Sequence, residues 1–509
     1  MPHRSNKSVT KHPQETIAFH DDPPAAKSGL ILSVNAGSSS LKISLYRLTE
    51  SFRNAYDPSP TSDPVQLLLT SNVTSISSPP ASFSFSVSDS ASASLTLAPN
   101  TQAKKQPVDS IKDHATAFSH FLDYLKSQAN IGREQIVHVC HRVVHGGDYF
   151  EPVVINQESY QHIERLSDLA PLHNGAALSV MKACITALPQ ANSIAYFDTS
   201  FHRSIPPAIA SYAIDQTIAK KKGLKKYGFH GLSYAFIVRE VGRFLQRDQS
   251  TLNLIVLHLG SGASVCCIRS GKSLDTSMGL TPLNGLPGAT RSGAIDPSLI
   301  FHYTNKAARM SHDRSQAVEV HVTMAEDILN KRSGWKSLTG TTEFGEVVNG
   351  MKAYDEKVVA GEQPGENTCE AKCKLAYDLF KDRILNYVGS YYLKLQGQVD
   401  ALVFSGGIGE RSVELRHDII KGMACLGFGI DEEGNKSADD VGGVVVEITS
   451  GEEKDESSKR VLVCRTDEQL EMARQTALQK KFWIPDDANK PGVEIKANKE
   501  LAQEVQVQA

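Results

Sequence analysis

No apolar run in this chain is long enough to cross a bilayer, because each is broken within about ten residues by charge, glycine or proline. Net charge is nearly absent too: 54 Lys and Arg against 57 Asp and Glu leave −3 over 509 residues. That removes the electrostatic reason to expect a nucleic-acid partner. Cysteine is sparse, eight in all, with Cys266 and Cys267 adjacent in an apolar strand. Such density is too low for a disulfide scaffold and suits a reducing compartment. Cys369 and Cys373 stand one helical turn apart, but no second pair completes a zinc site. The opening segment MPHRSNKSVTKHPQETIAFHDDPP lacks the apolar core of a secretory signal, and Glu15, Asp21 and Asp22 argue against a transit peptide. It reads as a disordered tail over residues 1–29 of a soluble, cytoplasmic protein. The two commonest phosphate-loop signatures are missing as well. NAGSSSLK lacks a glycine-lysine-serine/threonine ending, and GGIGERS has Ser412 where a dinucleotide fingerprint needs its last glycine.

What is present is an ordinary globular composition, 40% hydrophobic and 22% charged, in a chain long enough for two cores. From Leu30 an apolar strand, LILSV, runs into NAGSSS and returns as LKISLYRL, where Leu41, Ile43 and Leu45 alternate with Lys42 and Ser44. This predicts a hairpin whose turn offers N–H groups and hydroxyls to an anion. LNLIVLHLGSGASVCCIRSGK repeats the design around Gly260, Ser261 and Gly262, which suggests a duplicated domain. A third glycine loop, in ALVFSGGIGERS, follows a helix with Ala376, Leu379, Ile384, Tyr387, Tyr391 and Leu395 at helical spacing up to Gly397. Between Leu48 and about Asp109 the Ser-rich chain, with runs such as SFSFSVSDS, predicts edge strands joined by long loops. A surface loop is expected from about Asp355 to Asn367, and a mobile tail over 486–509. The basic run from Lys220 to Lys226 reads as a solvated face, or as an attractor of anionic substrates.

Nine segments, in order, carry a family resemblance: VNAGSSSLK, CHRVVHGGDYF, APLHNGAAL, YFDTSFHRSIP, KYGFHGLSY, HLGSGAS, TRSGAIDP, SGGIGER and RTDEQLEMAR. Over roughly Leu30 to Arg474 the sequence resembles the acetate kinase family. The resemblance implies an α/β fold of two duplicated actin-like, ribonuclease H-like domains with a nucleotide cleft between them. Domain I is expected over 30–202 plus a terminal helix at 469–485, and domain II over 203–468. It further implies Mg2+-dependent transfer between ATP and acetate, giving ADP and acetyl phosphate, with Mn2+ as a substitute, in a homodimer.

Acetate is ionised at neutral pH, so the nucleophile needs no general base, and the difficulty is bringing an anion to a polyphosphate. Cations should therefore crowd the site. Arg142 and Arg291 match the family arginines that flank acetate and the moving phosphoryl group, with Arg291 and His230 as transition-state stabilisers. Asp198 matches a carboxylate that positions metal and Arg142, or is a plain turn residue. Asn35 and Glu468 match metal-associated positions, Glu468 as a water-mediated ligand rather than a phosphorylated intermediate. Val144, Leu172, Phe229 and Pro282 match the acyl pocket, or are core. Ser38, Ser40 and Lys42 match phosphate-proximal positions, and His173 and His258 lie in active-site loops. Gly260, Ser261, Gly262, Glu343, Phe344, Gly407, Ile408, Gly409 and Arg411 fall on the nucleotide side.

Departures from the family pattern also gather there. Ser261 and Arg411 stand where asparagine is usual, Glu343, Phe344 and Gly345 replace an aspartate-phenylalanine-arginine run, Tyr234 replaces a histidine and Ala294 an aspartate. Pyrophosphate or another nucleotide as donor, and propionate as acceptor, therefore stay open. So does a reading of another class, a non-catalytic ATP-binding module.

Overall fold

Strands β1 (Leu30–Gly37) and β2 (Ser40–Leu48) pair antiparallel with Gly37 opposite Ser40, as the alternation predicts. The computed structural model describes residues 28–483 except 38, 51, 53–62, 93–94, 96, 98–100, 167–170, 301–309, 312–321 and 452–458. Both expected tails fall outside the described residues, apart from residues 28 and 29. Leu41, Ile43 and Leu45 are buried and Lys42 is exposed.

The first sheet continues through β3 (Val65–Thr74), β4 (Ala81–Val87), β5 (Ala103–Val108), β6 (Ile136–Val143), β7 (Val153–Val154) and β8 (Asn192–Phe197). Its spatial order is β5-β4-β3-β2-β1-β6-β8-β7. The second sheet holds β9 (Leu254–His258), β10 (Ser264–Arg269) and β11 (Lys272–Thr276). After a two-strand ribbon of β12 (Met310–Ser311) and β13 (Val322–Thr323), β14 (Ala401–Ser405), β15 (Val445–Glu447) and β16 (Arg460–Cys464) return to it in the order β11-β10-β9-β14-β16-β15. The core β3-β2-β1-β6-β8 and the core β11-β10-β9-β14-β16 share one plan: an antiparallel meander, then two parallel neighbours. The expected duplication is thus present in the topology.

Helices cover both faces of each sheet. On the first, α1 (His114–Ala129) buries Phe118, Phe121 and Leu125 against Phe83 and Phe85, and its N-terminus is closed by Asp113 and Thr116 in a capping box. Beside it lies α2 (Pro171–Ala187). On the second, α3 (Gly231–Leu245) covers one face, and α4 (Phe344–Val359) with α5 (Cys369–Lys394) the other. The buried stripe of α5 is Cys373, Ala376, Tyr377, Phe380, Ile384, Val388 and Tyr391, with Leu379 and Tyr387 half-buried. Gly397, at φ 73°, lies just past its end. The glycine loop after β14 becomes α6 (Gly406–Arg411), followed by α7 (Val413–Gly422). Last, α8 (Glu468–Leu478) crosses back onto the first sheet, packing Met472 and Ala473 on Ile31 and Tyr46.

Two expectations change. The SFSFS run is β4, which pairs with β3 on one side and β5 on the other, so it is not an edge; its alternation buries Phe83, Phe85 and Val87 under α1. The loop expected from Asp355 is helical to Val359; that last turn is tied to α5 by ion pairs, Asp355 with Lys374 and Lys357 with Glu370, while Val358 and Val359 stay exposed. All eight cysteines are free, six of them buried.

Candidate active site

Each sheet delivers its chemistry at strand ends, as open α/β sheets do. Arg142 is the penultimate residue of β6, Asp198 follows β8, His258 ends β9, and Glu468 opens α8 four residues after β16. Arg142 and Asp198 line a cleft of about 500 Å³ together with Asn35, His230, Gly262 and Arg291, while Glu468 and His258 stand behind it, against Arg142 and His230 respectively.

Arg142 is the anchor. Its Nη2 donates to Asp198 Oδ2 at 2.7 Å, its Nε to both Asp198 oxygens at 3.1 and 3.2 Å, and its Nη1 to Glu468 Oε2 at 2.6 Å. Glu468 also accepts from Asn35 Nδ2 at 3.0 Å and Ser233 Oγ at 2.9 Å. Burial opposes the Arg142 charge, and the two carboxylates outweigh it and hold the guanidinium protonated. Burial also raises both carboxyls. For Glu468 the charge of Arg142, then His258 and the Ser233 hydroxyl, turn the net shift downward; Asp198 feels the Glu468 charge across the shared guanidinium and stays raised.

Arg291 is the contrast. Among the described residues no carboxylate pairs with it; Nη1 reaches only the Pro282 carbonyl at 3.5 Å, and burial lowers its pKa to about 10. Gly262 lies flat beneath it: a Cβ there would sit 3.0 Å from Arg291 Nη1. Two guanidinium groups from distant parts of the chain therefore meet in one concavity, one pinned by carboxylates and one without them.

His230 has φ 60°, unusual for a non-glycine residue, and precedes α3. Its ring stacks on His258 at 4.2 Å, and its Nδ1 is 2.9 Å from Ser264 Oγ. Burial first, then His258 and the two arginines, push its pKa well below 6.5, and His258 falls to about 4, chiefly through burial. Both rings are neutral at physiological pH.

A second cleft of about 520 Å³ adjoins the first through Ser261 and brings together Gly260, Glu343, Phe344, Gly407, Ile408 and Arg411. Three bonds lock its loops: Ile408 N and Gly409 N donate to Leu259 O, and Leu259 N to Ser405 O. Gly406 crosses this point at φ 75°, where a Cβ would meet Leu259 O at 2.6 Å. Phe344 sits mostly in the aromatic core with Trp335 and Phe380, so only part of it reaches the cleft. A Cβ on Gly345 or Gly407 would meet nothing within 4 Å, which leaves that side open.

The remaining candidates divide. Val144, Phe229 and Pro282 line the first cleft. Lys42 does not; it lines a small groove with Thr70, Asn72 and Gln469, and acts on Glu468 only as a more distant charge. Ser40 closes the first hairpin outside both clefts. Ser38 and the side chains of Leu172 and His173 lie outside the described residues. The basic run is not one solvated face, since Lys226 reaches the buried Asp275 at 2.6 Å. Sequence reasoning missed Ser233, Ser264 and Arg416, the last fully buried and donating to the Gly409 and Glu410 carbonyls beneath the glycine loop. Ser233 alone had a signal, lying one helical turn after His230.

The asparagine, carboxylates and open space fit a magnesium ion held largely by water and phosphate oxygens, because such an ion needs only one or two protein groups. No cluster of three or more His, Cys, Asp or Glu residues able to hold a metal occurs among the described residues.

The sequence matches the acetokinase family over residues 30–474. It is 46% identical over 447 residues to the probable acetate kinase of Emericella nidulans, covering 87% of this chain and 96% of that one. The fold is similar to a propionate kinase from Francisella tularensis subsp. tularensis, with TM-score 0.68 and 32% identity over 88% of this chain and 98% of that one. Acetate kinase from Porphyromonas gingivalis gives TM-score 0.67 and 28% identity, over 89% and 100%.

Proposed function

Because the chain belongs to the acetokinase family, we propose that its paired clefts transfer a phosphoryl group between ATP and acetate, giving ADP and acetyl phosphate. One observation carries this reading: Arg142 and Arg291 face a single cleft that opens, through Ser261, onto glycine loops suited to phosphates.

Acetate binds with its methyl toward Val144, Phe229 and Pro282 and its carboxylate toward Arg142. Asp198 and Glu468 hold that guanidinium in one orientation, so little freedom is lost when substrate arrives. Arg291, uncommitted to any carboxylate, meets the charge on the oxygens of the moving phosphoryl group. His230 is a neutral donor. Tyr234 O–H gives to Ser264 Oγ and Ser264 O–H to His230 Nδ1, which leaves Nε2–H to donate into the cleft. Tyr234, which stands in place of the family histidine, thereby sets the tautomer. Asn35, Asp198 and Glu468 would hold a magnesium ion largely through water, and the bound ion would neutralise phosphate charge. Transfer is direct and in line, because Glu468 is already engaged by Arg142, Asn35 and Ser233 and is not free to attack phosphorus.

The nucleotide lies in the second cleft against Gly260, Gly407 and Ile408. Residues 30–202 with 469–485 act as one domain and 203–468 as the other, closing on substrates. A cytoplasmic homodimer belongs to the same proposal; no described helix is long and apolar enough to cross a membrane.

Hydroxylamine trapping of acetyl phosphate, run with ATP, other nucleoside triphosphates and pyrophosphate against acetate and propionate, tests the reading. Hydroxamate from ATP and acetate with magnesium is expected. Product from pyrophosphate and none from ATP would overturn the donor, and none from any pair would overturn the enzyme.

A further inference from the structure

Several buried histidines are unused by this chemistry, and of these His202 is packed against the peptide that leads into His230. His202 is 4% exposed, lies in the turn that follows Asp198, and does not line the cleft. Its Nε2 is 2.9 Å from the Phe229 carbonyl oxygen and its Nδ1 2.8 Å from Ser273 Oγ. A carbonyl only accepts, so Nε2 carries the proton and donates, while Nδ1 accepts from the Ser273 hydroxyl. Of the two neutral tautomers, only this one satisfies both ring nitrogens. Burial supports it, lowering the pKa to about 4.

The Phe229 carbonyl belongs to the peptide that leads into His230, whose left-handed backbone needs support from its surroundings. That support is interlocked on both sides. Before it, Gly228 at φ 76° leaves room for the ring, since a Cβ there would lie 2.6 Å from His202 Cδ2. After it, Gly231 N donates to Asp198 O at 3.0 Å, and a Cβ on Gly231 would lie 2.0 Å from that oxygen. The backbone N–H of His202 donates to Thr199 O at 3.1 Å, closing the turn that presents Asp198. The His202 ring also meets Tyr234 edge-on at 5.7 Å, next to the hydroxyl chain that orients the His230 ring.

We propose that His202 is a positioning residue: its Nε2–H bond to the Phe229 carbonyl clasps the Asp198–His202 turn to the Gly228–Gly231 turn and so aims His230 into the cleft. This rests on the acetate kinase reading above for its kinetic consequence, and on geometry alone for its structural one.

The test compares His202→Gln, whose amide N–H approximates Nε2, with His202→Asn, which keeps an acceptor for Ser273 but loses the donor. Each is made in wild-type and His230→Ala backgrounds, with Tm recorded. In wild type, His202→Asn lowers kcat by about tenfold or more with KM for acetate changed less than about threefold, and His202→Gln recovers most of it. In the His230→Ala background His202→Asn costs nothing further, because the residue acts through His230. An equal loss in both backgrounds, wild-type kcat in His202→Asn, or recovery by Asn rather than Gln overturns the proposal. NMR of 15N-labelled histidine needs no turnover: His202→Asn shifts the His230 ring signals, and unmoved signals contradict the clasp. Wild-type protein that makes no acetyl phosphate defeats only the acetate kinase reading, with the spectra still deciding the clasp.

Discussion

Arg142 and Arg291 carry the same functional group, and their surroundings give them different work. A guanidinium bonded to two carboxylates is a fixed surface for substrate, while one without them is available to charge that appears only during reaction. Glu468→Gln removes one anchor and a metal-side charge together, so kcat should fall by about 10²-fold or more with a raised magnesium requirement. A magnesium titration of activity checks it; an unchanged half-saturation would remove Glu468 from the metal side. Gly262→Ala pushes the Arg291 Nη1 by a few tenths of an ångström, and about a tenfold loss of kcat with unchanged Tm is expected. These residues were legible because their segments match the family in order. Ser264, His202 and Arg416 were not, because their roles depend on partners brought close only by folding: Ser264 meets His230 across 34 positions of sequence.

At the scale of elements, the two helices whose starts carry the chemistry are tied together by buried charge. Arg239 of α3 donates to Glu471 of α8 at 3.2 Å and to Glu240 and Asp63, and Arg243 joins Asp63 and Glu240. Asp63, just before β3, brings the Ser-rich segment into this junction, a purpose its composition did not disclose. Removing one partner strands the others: Arg239→Met leaves Glu240 and Glu471 buried without their main cation and should cost about 3–5 kcal/mol in urea unfolding. The pair Arg239→Met with Glu471→Leu should recover much of that, and a single-variant loss below about 1 kcal/mol would contradict the account. The hairpins around the two glycine turns were readable because strand alternation and small turn residues are local signals. The Ser-Phe alternation of β4 told which side is buried but not how many neighbours the strand has, since pairing partners are set by the sheet.

Across the whole molecule, acid should unfold the protein early. His138, His145, His202 and His258 are held neutral, chiefly by burial, with pKa about 4, and His141 about 3. The usual value is 6.5, so below it the unfolded chain binds protons that the folded one refuses. This stability is complete above about pH 6.5 and is lost as pH falls toward 4. Raised carboxyls at Asp198, Glu240, Glu410 and Asp467, each lifted first by burial, act in the opposite sense and reduce the slope. The urea midpoint should therefore be lower at pH 5 than at pH 7.5, and an equal or higher midpoint would contradict the neutral histidines. On the same ground, His230 should add no limb near pH 6.5 to the kcat profile.

One arginine from each half of the chain, Arg142 near the end of β6 and Arg291 in the segment after β11, reaches a shared cleft, and every catalytic role assigned above depends on that meeting. The most direct test is the turnover of Arg291→Ala in acetyl phosphate formation, with Tm and nucleotide affinity measured alongside. Loss of on the order of 10³–10⁵ in kcat with fold and nucleotide binding retained is the predicted result. Turnover like that of wild type would contradict it.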